Sequence, residues 1–79
     1  MDQVMTFLGQ HEDLAAAIAA AQAAANQWLR DNARAVGTIY GSTSQSIWHE
    51  HAHTGAWYHV ITLTLDLREP GGSGDDLDA

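Results

Sequence analysis

Four of the chain's five histidines lie in the twelve-residue segment WHEHAHTGAWYH. His49, His51 and His53 alternate along the chain, so in an extended strand they project from one face, about 7 Å apart. Imidazole nitrogens bind Zn²⁺, Ni²⁺ and Cu²⁺, and Glu50 or His59 could add a ligand if a turn brought either one near. These three alternating histidines are the candidate metal ligands. The alternative is that they are solvated polar residues at the tip of a hairpin.

The histidines also offer a pH switch that needs no precise geometry. Protonation of all five near pH ~6.5 would move the formal net charge from −7 to about −2. Such a change becomes a switch only where an interface senses the charge.

Aromatic rings in the same segment could hold a planar ligand. They offer stacking surfaces, and the GSTSQS segment before them supplies hydroxyl and amide groups. The alternative is that Trp48 and Trp57 form a cross-strand pair that stabilises a hairpin. We expect Trp48 to be the packing residue and Trp57 with Tyr58 to be the more available surface, because Trp57 begins its strand beside a glycine. The candidate ligand-binding residues are Trp57, Tyr58, Tyr40, Gln45 and Trp48.

The sequence does not favour catalysis. Serines such as Ser46 and several histidines are present. However, the chain has no strand-to-helix nucleophile elbow and no phosphate-binding glycine loop. We therefore expect a protein that is not an enzyme and has no catalytic residues.

The hydrophobic pattern predicts a strand, a helix and two further strands. Residues 4–9 favour an edge strand, and QHEDLAAAIAAAQAAANQWLRDN favours a helix that Asp13 or His11 can cap. A second strand follows in AVGTIYGSTSQSIW and a third in GAWYHVITLTLDL. We expect the hairpin between them to turn near Thr54 and Gly55.

The faces of these elements predict how they pack. At about 100° per residue the helix has one apolar stripe, and the third strand alternates between two faces. The helix stripe comprises Leu14, Ile18, Ala21, Ala25, Trp28 and Leu29. The strand face expected to pack on it comprises Trp57, His59, Ile61, Leu63 and Leu65. The predicted fold class is α+β, a two-layer strand-helix-strand-strand unit with an antiparallel sheet packed on one long helix.

Two surfaces of this unit suggest homo-oligomerisation. The second face of the sheet, with Tyr58, Val60 and either Tyr40 or Ile39, has no layer to cover it. The outer side of the helix carries Ala15, Ala16, Ala19, Ala20 and Ala23. These alanines are either inexpensive exposed helix formers or a smooth surface for a second helix or subunit. We favour the second explanation because no charged residue occurs between Asp13 and Arg30.

Composition narrows the possible partners. The chain has 79 residues and no cysteine, so oligomerisation is the expected source of additional stability. Ten acidic and three basic residues argue against direct nucleic-acid binding and against an anionic membrane surface. No apolar run approaches the ~18 residues that span a bilayer, and the N-terminal residues lack a basic secretory signal, so we expect a cytoplasmic protein. We expect one domain over residues 1–69 and a flexible acidic tail over residues 70–79.

The layout resembles that of the dodecins, small flavin-storing proteins built from a strand, one long helix and two long strands. The resemblance rests on the helix start HEDLAAAI, a helix of similar length and two strands ending in VITLTLDL. It implies assembly into a hollow shell. It also implies that Tyr40 would substitute for the family's flavin-stacking tryptophan, and it places Gln45 near the strand of the glutamine that reads the flavin ring edge.

The chain also resembles short sporulation and phage proteins of unknown role. The shared features are the opening strand, HEDL, NQWL, VGTIYGSTSQS and the closing apolar strand. This second resemblance implies the same order of elements.

Two functional hypotheses follow. The first is a non-enzymatic homo-oligomeric protein that binds or sequesters a small planar or nucleotide-like ligand where subunits meet, with the identity of any cofactor left open. The alternative is a small acidic interaction protein of the phage or mobile-element type. It would inhibit a host nucleic-acid-handling protein by presenting carboxylates in place of phosphates.

Overall fold

The computed structural model describes residues 2–68 and confirms the predicted α+β fold. The element order is β1 (Asp2–His11), α1 (Leu14–Asp31), β2 (Val36–His51) and β3 (Thr54–Leu67). One helix packs on a three-stranded antiparallel sheet with the strand order β1-β3-β2. The predicted tail over residues 70–79 lies outside the described residues. No helix within residues 2–68 has the length and apolar character needed to cross a bilayer.

The first strand is longer than the predicted stretch 4–9. It pairs with the central strand β3 from Asp2, opposite Asp66, to His11, opposite Trp57. Backbone hydrogen bonding to β3 therefore extends the strand beyond the apolar residues that identified it.

Of the two alternative capping residues, Asp13 caps α1 and His11 does not. Asp13 is the N-cap, and its side-chain Oδ2 accepts a hydrogen bond from the backbone N–H of Ala16 at 3.0 Å. The backbone N–H of Asp13 in turn donates to Nδ1 of His11 at 2.9 Å. At the other end, Asn32 is the C-cap, and its backbone N–H donates to the carbonyl of Trp28. The helix bounds are thus set by local hydrogen bonds.

The helix approaches the sheet through alanines. Ala17, Ala21 and Ala25 are buried, so Ala17 belongs to the packing stripe although the predicted stripe omitted it. A Cβ atom added to Gly9 of β1 would collide with the backbone of Ala17 and Ala21. The glycine and the small side chains therefore permit a close helix–strand contact.

The core lies under the C-terminal half of the helix. It consists of Phe7, Ala25, Leu63 and Leu65, and Leu65 is the largest fully buried side chain in residues 2–68. Trp28 packs on Phe7 with a ring-centroid distance of 5.9 Å. The predicted face of β3 is the one that packs on the helix, because Leu63, Leu65 and His59 are all buried.

The second strand has little contact with the helix, which packs chiefly on β1 and β3. The residues of β2 are exposed along nearly the whole strand. Its register with β3 shifts between Val36 and Gly41, where Tyr40 is an extra residue between Ile39, opposite Leu65, and Gly41, opposite Thr64. Ile39 therefore shares the helix side of the sheet with Leu65 and does not belong to the uncovered face, where it was one of two predicted alternatives.

The hairpin turn was predicted two residues too late. The turn comprises Ala52 and His53, and β3 already begins at Thr54. Ala52 has φ 56°, a left-handed conformation that tight turns require and that is unusual for a residue with a side chain. The sequence signal for a turn pointed to Gly55, but Gly55 is paired with Glu50 inside the hairpin.

Candidate functional site

Trp48 on β2 and Trp57 on β3 form a cross-strand pair on the helix side of the sheet. They lie directly opposite one another in the register. Their ring centroids are 5.5 Å apart and the ring planes meet at 60°, an edge-to-face arrangement. The predicted cross-strand pairing of these residues is therefore present in the structure.

The exposure of the two indoles is the reverse of the expectation. Trp48 is 45 % exposed, whereas Trp57 and Tyr58 are half-buried. The indole of Trp48 lies over Gly55, since a Cβ atom on Gly55 would collide with that ring. The glycine thus makes room for Trp48 and does not uncover Trp57, so Trp48 is the available aromatic surface.

The other predicted ligand-binding residues lie elsewhere. Tyr58, opposite Ile47, and Gln45, opposite Val60, project from the sheet face away from the helix because successive strand residues alternate. Tyr40 lies in the bulge of β2 and is 61 % exposed. The five predicted residues therefore do not form a single site within one chain.

A groove lies where β1 ends and the β2–β3 hairpin continues. Its volume is about 590 Å³. It is lined by His11, Glu12, His49, His51 and Tyr58, among others. The ring of His49 meets the ring of Tyr58 edge-on at 6.1 Å. The groove exists because β3 extends beyond its last pairing partner on β1, His11, by the residues from Thr54 to Ala56.

The three candidate metal ligands are not brought together. His49 and His51 are strand residues, whereas His53 lies in the turn and leaves the alternating pattern. Within residues 2–68, no group of three or more histidine, aspartate or glutamate side chains is arranged to hold a metal ion. The position of the turn, which the sequence misplaced, is the physical reason.

One hydrogen-bonded pair with a buried member was not predicted. The imidazole of His59 is only 7 % exposed, and its Nδ1 lies 2.6 Å from Oγ of Ser46 on β2. The alternation of β3 placed His59 on the buried face, but the sequence could not show which β2 residue would face it. The pair satisfies a buried imidazole nitrogen, as buried polar groups require.

The chain is thus a small two-layer α+β protein whose sheet carries a cross-strand tryptophan pair with Trp48 exposed. No family model matches the chain, and no curated protein or solved structure is significantly similar to it.

Proposed function

We propose that the protein is a non-enzymatic homo-oligomer that binds a small planar ligand at Trp48, where two copies meet. The observation that carries this proposal is the exposure of Trp48, which is 45 % even though its ring contacts Trp57 and lies over Gly55. Contacts on two sides fix the orientation of the indole. A fixed and partly exposed ring is a suitable surface for stacking a planar molecule.

Hydroxyl groups accompany the aromatic pair on the same face of the sheet. Ser42, Ser44 and Ser46 lie opposite Leu63, Ile61 and His59, all on the helix side. Polar groups beside an aromatic surface supply the hydrogen bonds that orient a ligand. A flavin or a nucleotide base combines a flat ring with polar edges and fits this surface.

Homo-oligomerisation is supported by the amount of exposed apolar surface. The exposed large hydrophobic residues are Val4 (63 %), Leu8 (56 %), Ile39 (46 %), Tyr40 (61 %), Ile47 (48 %) and Trp48 (45 %). A chain this small encloses little core of its own. Covering these side chains with another copy would supply additional apolar burial.

Intrinsic tryptophan fluorescence tests the ligand. The wild type is titrated with flavin mononucleotide, adenine nucleotides and a cyclic dinucleotide, and we expect a saturable quench with at least one of them. The quench should disappear in Trp48→Ala and persist in Trp28→Phe, because Trp28 packs on Phe7 in the core. The absence of a saturable quench with every probe, or an unchanged quench in Trp48→Ala, would overturn the proposal.

Within residues 2–68, the positions of the carboxylates give no specific support to the alternative hypothesis of an acidic inhibitor. Asp2 lies opposite Asp66, whereas Glu12 and Asp13 follow the other end of β1. Imitating a nucleic-acid backbone requires closely and regularly spaced negative charges. Salt-sensitive capture of a basic protein, without any ligand quench, would favour the inhibitor over ligand binding.

A further inference from the structure

The outer edge of β2 lacks the features that normally protect an edge strand. β2 is 16 residues long, and residues 36–49 contain no charged side chain and no proline. Native edge strands are usually short, carry charges, proline or bulges, or lie under a helix. Apart from Glu50 next to the hairpin turn, the only such feature on β2 is the irregular register between Val36 and Gly41, which leaves the edge from Gly41 onwards regular.

The strand at the opposite edge of the sheet, β1, lies under the helix. β1 is shorter, at 10 residues. The helix backbone runs against it so closely that Gly9 has no room for a side chain. A strand added to β1 would therefore have to fit beside α1, whereas the edge of β2 is open.

Charge and apolar surface both favour a second copy as the occupant of the β2 edge. The chain carries a net charge of −7, so the repulsion between two copies is smallest where the facing surfaces carry no charge. Residues 36–49 are uncharged. They also carry four of the six exposed large hydrophobic side chains, namely Ile39, Tyr40, Ile47 and Trp48.

We propose that β2 pairs antiparallel with β2 of a second copy about a two-fold axis at Ser44, which joins the two three-stranded sheets into one. This interface rests on the proposed homo-oligomerisation and specifies its surface. It places Thr43 opposite Gln45 of the second copy and Gly41 opposite Ile47 of the second copy, because antiparallel partners have a constant sum of residue numbers.

The bulge completes this register. Since Tyr40 is the extra residue, Ile39 takes the next ladder position after Gly41 and lies opposite Trp48 of the second copy. Both residues lie on the helix side of the sheet, opposite Leu65 and Trp57 of their own chains. Ile39 of each copy thus lies against Trp48 of the other, and the isologous interface is self-complementary.

The same register completes the ligand surface. Ile39 and the adjacent Tyr40 of the second copy lie beside Trp48, although Tyr40 and Trp48 are at opposite ends of the strand within one chain. The candidate ligand-binding residues Tyr40 and Trp48 then belong to one site that contains both subunits.

Disulfide cross-linking tests the register. The chain has no cysteine, so Ser44→Cys introduces the only thiol. At the two-fold axis the two Cα atoms would be about 4.5–5.5 Å apart, within the range of a disulfide. The matched control is Ser42→Cys on the same face, whose thiols would be separated by about 13 Å along the strand. We expect a covalent dimer on non-reducing gels for Ser44→Cys and a monomer for Ser42→Cys.

A charge substitution tests the surface independently. Ser44→Lys places two ammonium groups opposite each other at the axis, so the dissociation constant of the dimer should rise at least 10-fold. Thr6→Lys changes the net charge equally but lies on the exposed face of β1, and it should leave the dimer intact. Circular dichroism verifies that both variants are folded.

The outcomes separate this interface from the proposed function. If native mass spectrometry shows oligomers but Ser44→Cys gives no cross-linked dimer, the β2 interface is wrong and homo-oligomerisation stands. If the wild type stays monomeric at 100-fold the protein concentration of the fluorescence titration, both the interface and homo-oligomerisation are wrong. The fluorescence titration still decides ligand binding in either case.

Discussion

Oγ of Ser46 on β2 lies 2.6 Å from Nδ1 of His59 on β3, and His59 is the one buried polar side chain in residues 2–68. β2 has little contact with the helix and is held mainly by its pairing with β3. The hydrogen bond between Ser46 and His59 adds a side-chain link between β2 and the buried face of β3. It therefore contributes to the position of the strand that carries Trp48.

Removing the hydroxyl should destabilise the fold. Ser46→Ala leaves a buried ring nitrogen of His59 without this partner, and we expect a loss of about 1–3 kcal/mol in the free energy of unfolding. Ser44→Ala, on the same strand and face, is the control and should change it by less than about 0.5 kcal/mol. Urea denaturation measures both. Equal effects would mean that the Ser46 hydroxyl contributes nothing specific.

Adding one methyl group to Gly9 should also be costly. In Gly9→Ala the new Cβ would collide with the backbone of Ala17 and Ala21, so α1 must move away from β1. We expect the free energy of unfolding to fall by about 1–3 kcal/mol. Gly41→Ala is the matched control, because a Cβ there has no atom within 4 Å. A Gly9→Ala protein with an unchanged melting temperature would contradict the close helix–strand contact.

Truncation of Leu65 tests the core. Leu65 is 0 % exposed, and Leu65→Ala should lower the free energy of unfolding by about 2–5 kcal/mol through lost burial and the cavity left behind. Leu8 is 56 % exposed on the other face of the sheet, so Leu8→Ala should cost well under half as much in a monomeric sample. Chemical denaturation of both variants at the same protein concentration makes the comparison. Similar losses would show that the helix does not define the buried face.

The N-cap of α1 can be tested in the same way. Asp13→Ala removes the acceptor for the Ala16 backbone N–H, and we expect a loss of about 1 kcal/mol. The neighbouring Glu12→Ala removes the same charge but no cap, so it separates the hydrogen bond from the helix-dipole effect. Thermal unfolding followed at 222 nm reports the difference, and identical melting temperatures would refute the role of Asp13 as cap.

We expect no stoichiometric metal in the purified protein. His53 lies in the turn, so His49 and His51 lack the third aligned imidazole that the alternating pattern suggested. Elemental analysis after dialysis measures the metal content. One metal ion per chain that is lost in His51→Ala would restore the metal-site hypothesis.

The order and type of the elements could be predicted from the sequence, because they depend on local periodicity. The alternation in β3 identified the buried face that includes Leu63 and Leu65, and the polar residues before the alanine-rich segment placed the helix start near Asp13, with His11 as the alternative cap. Local patterns succeed here because a strand repeats every two residues and a cap bonds within one turn.

Which residues meet across elements depends on tertiary packing, and those contacts form the candidate site. The turn at Ala52 set the register that places Trp48 over Gly55 and Ser46 against His59. The pattern could not show that Trp48, and not Trp57, would remain the more exposed ring. The physical reason is that register is a non-local property: a change of one residue in the turn moves every cross-strand neighbour.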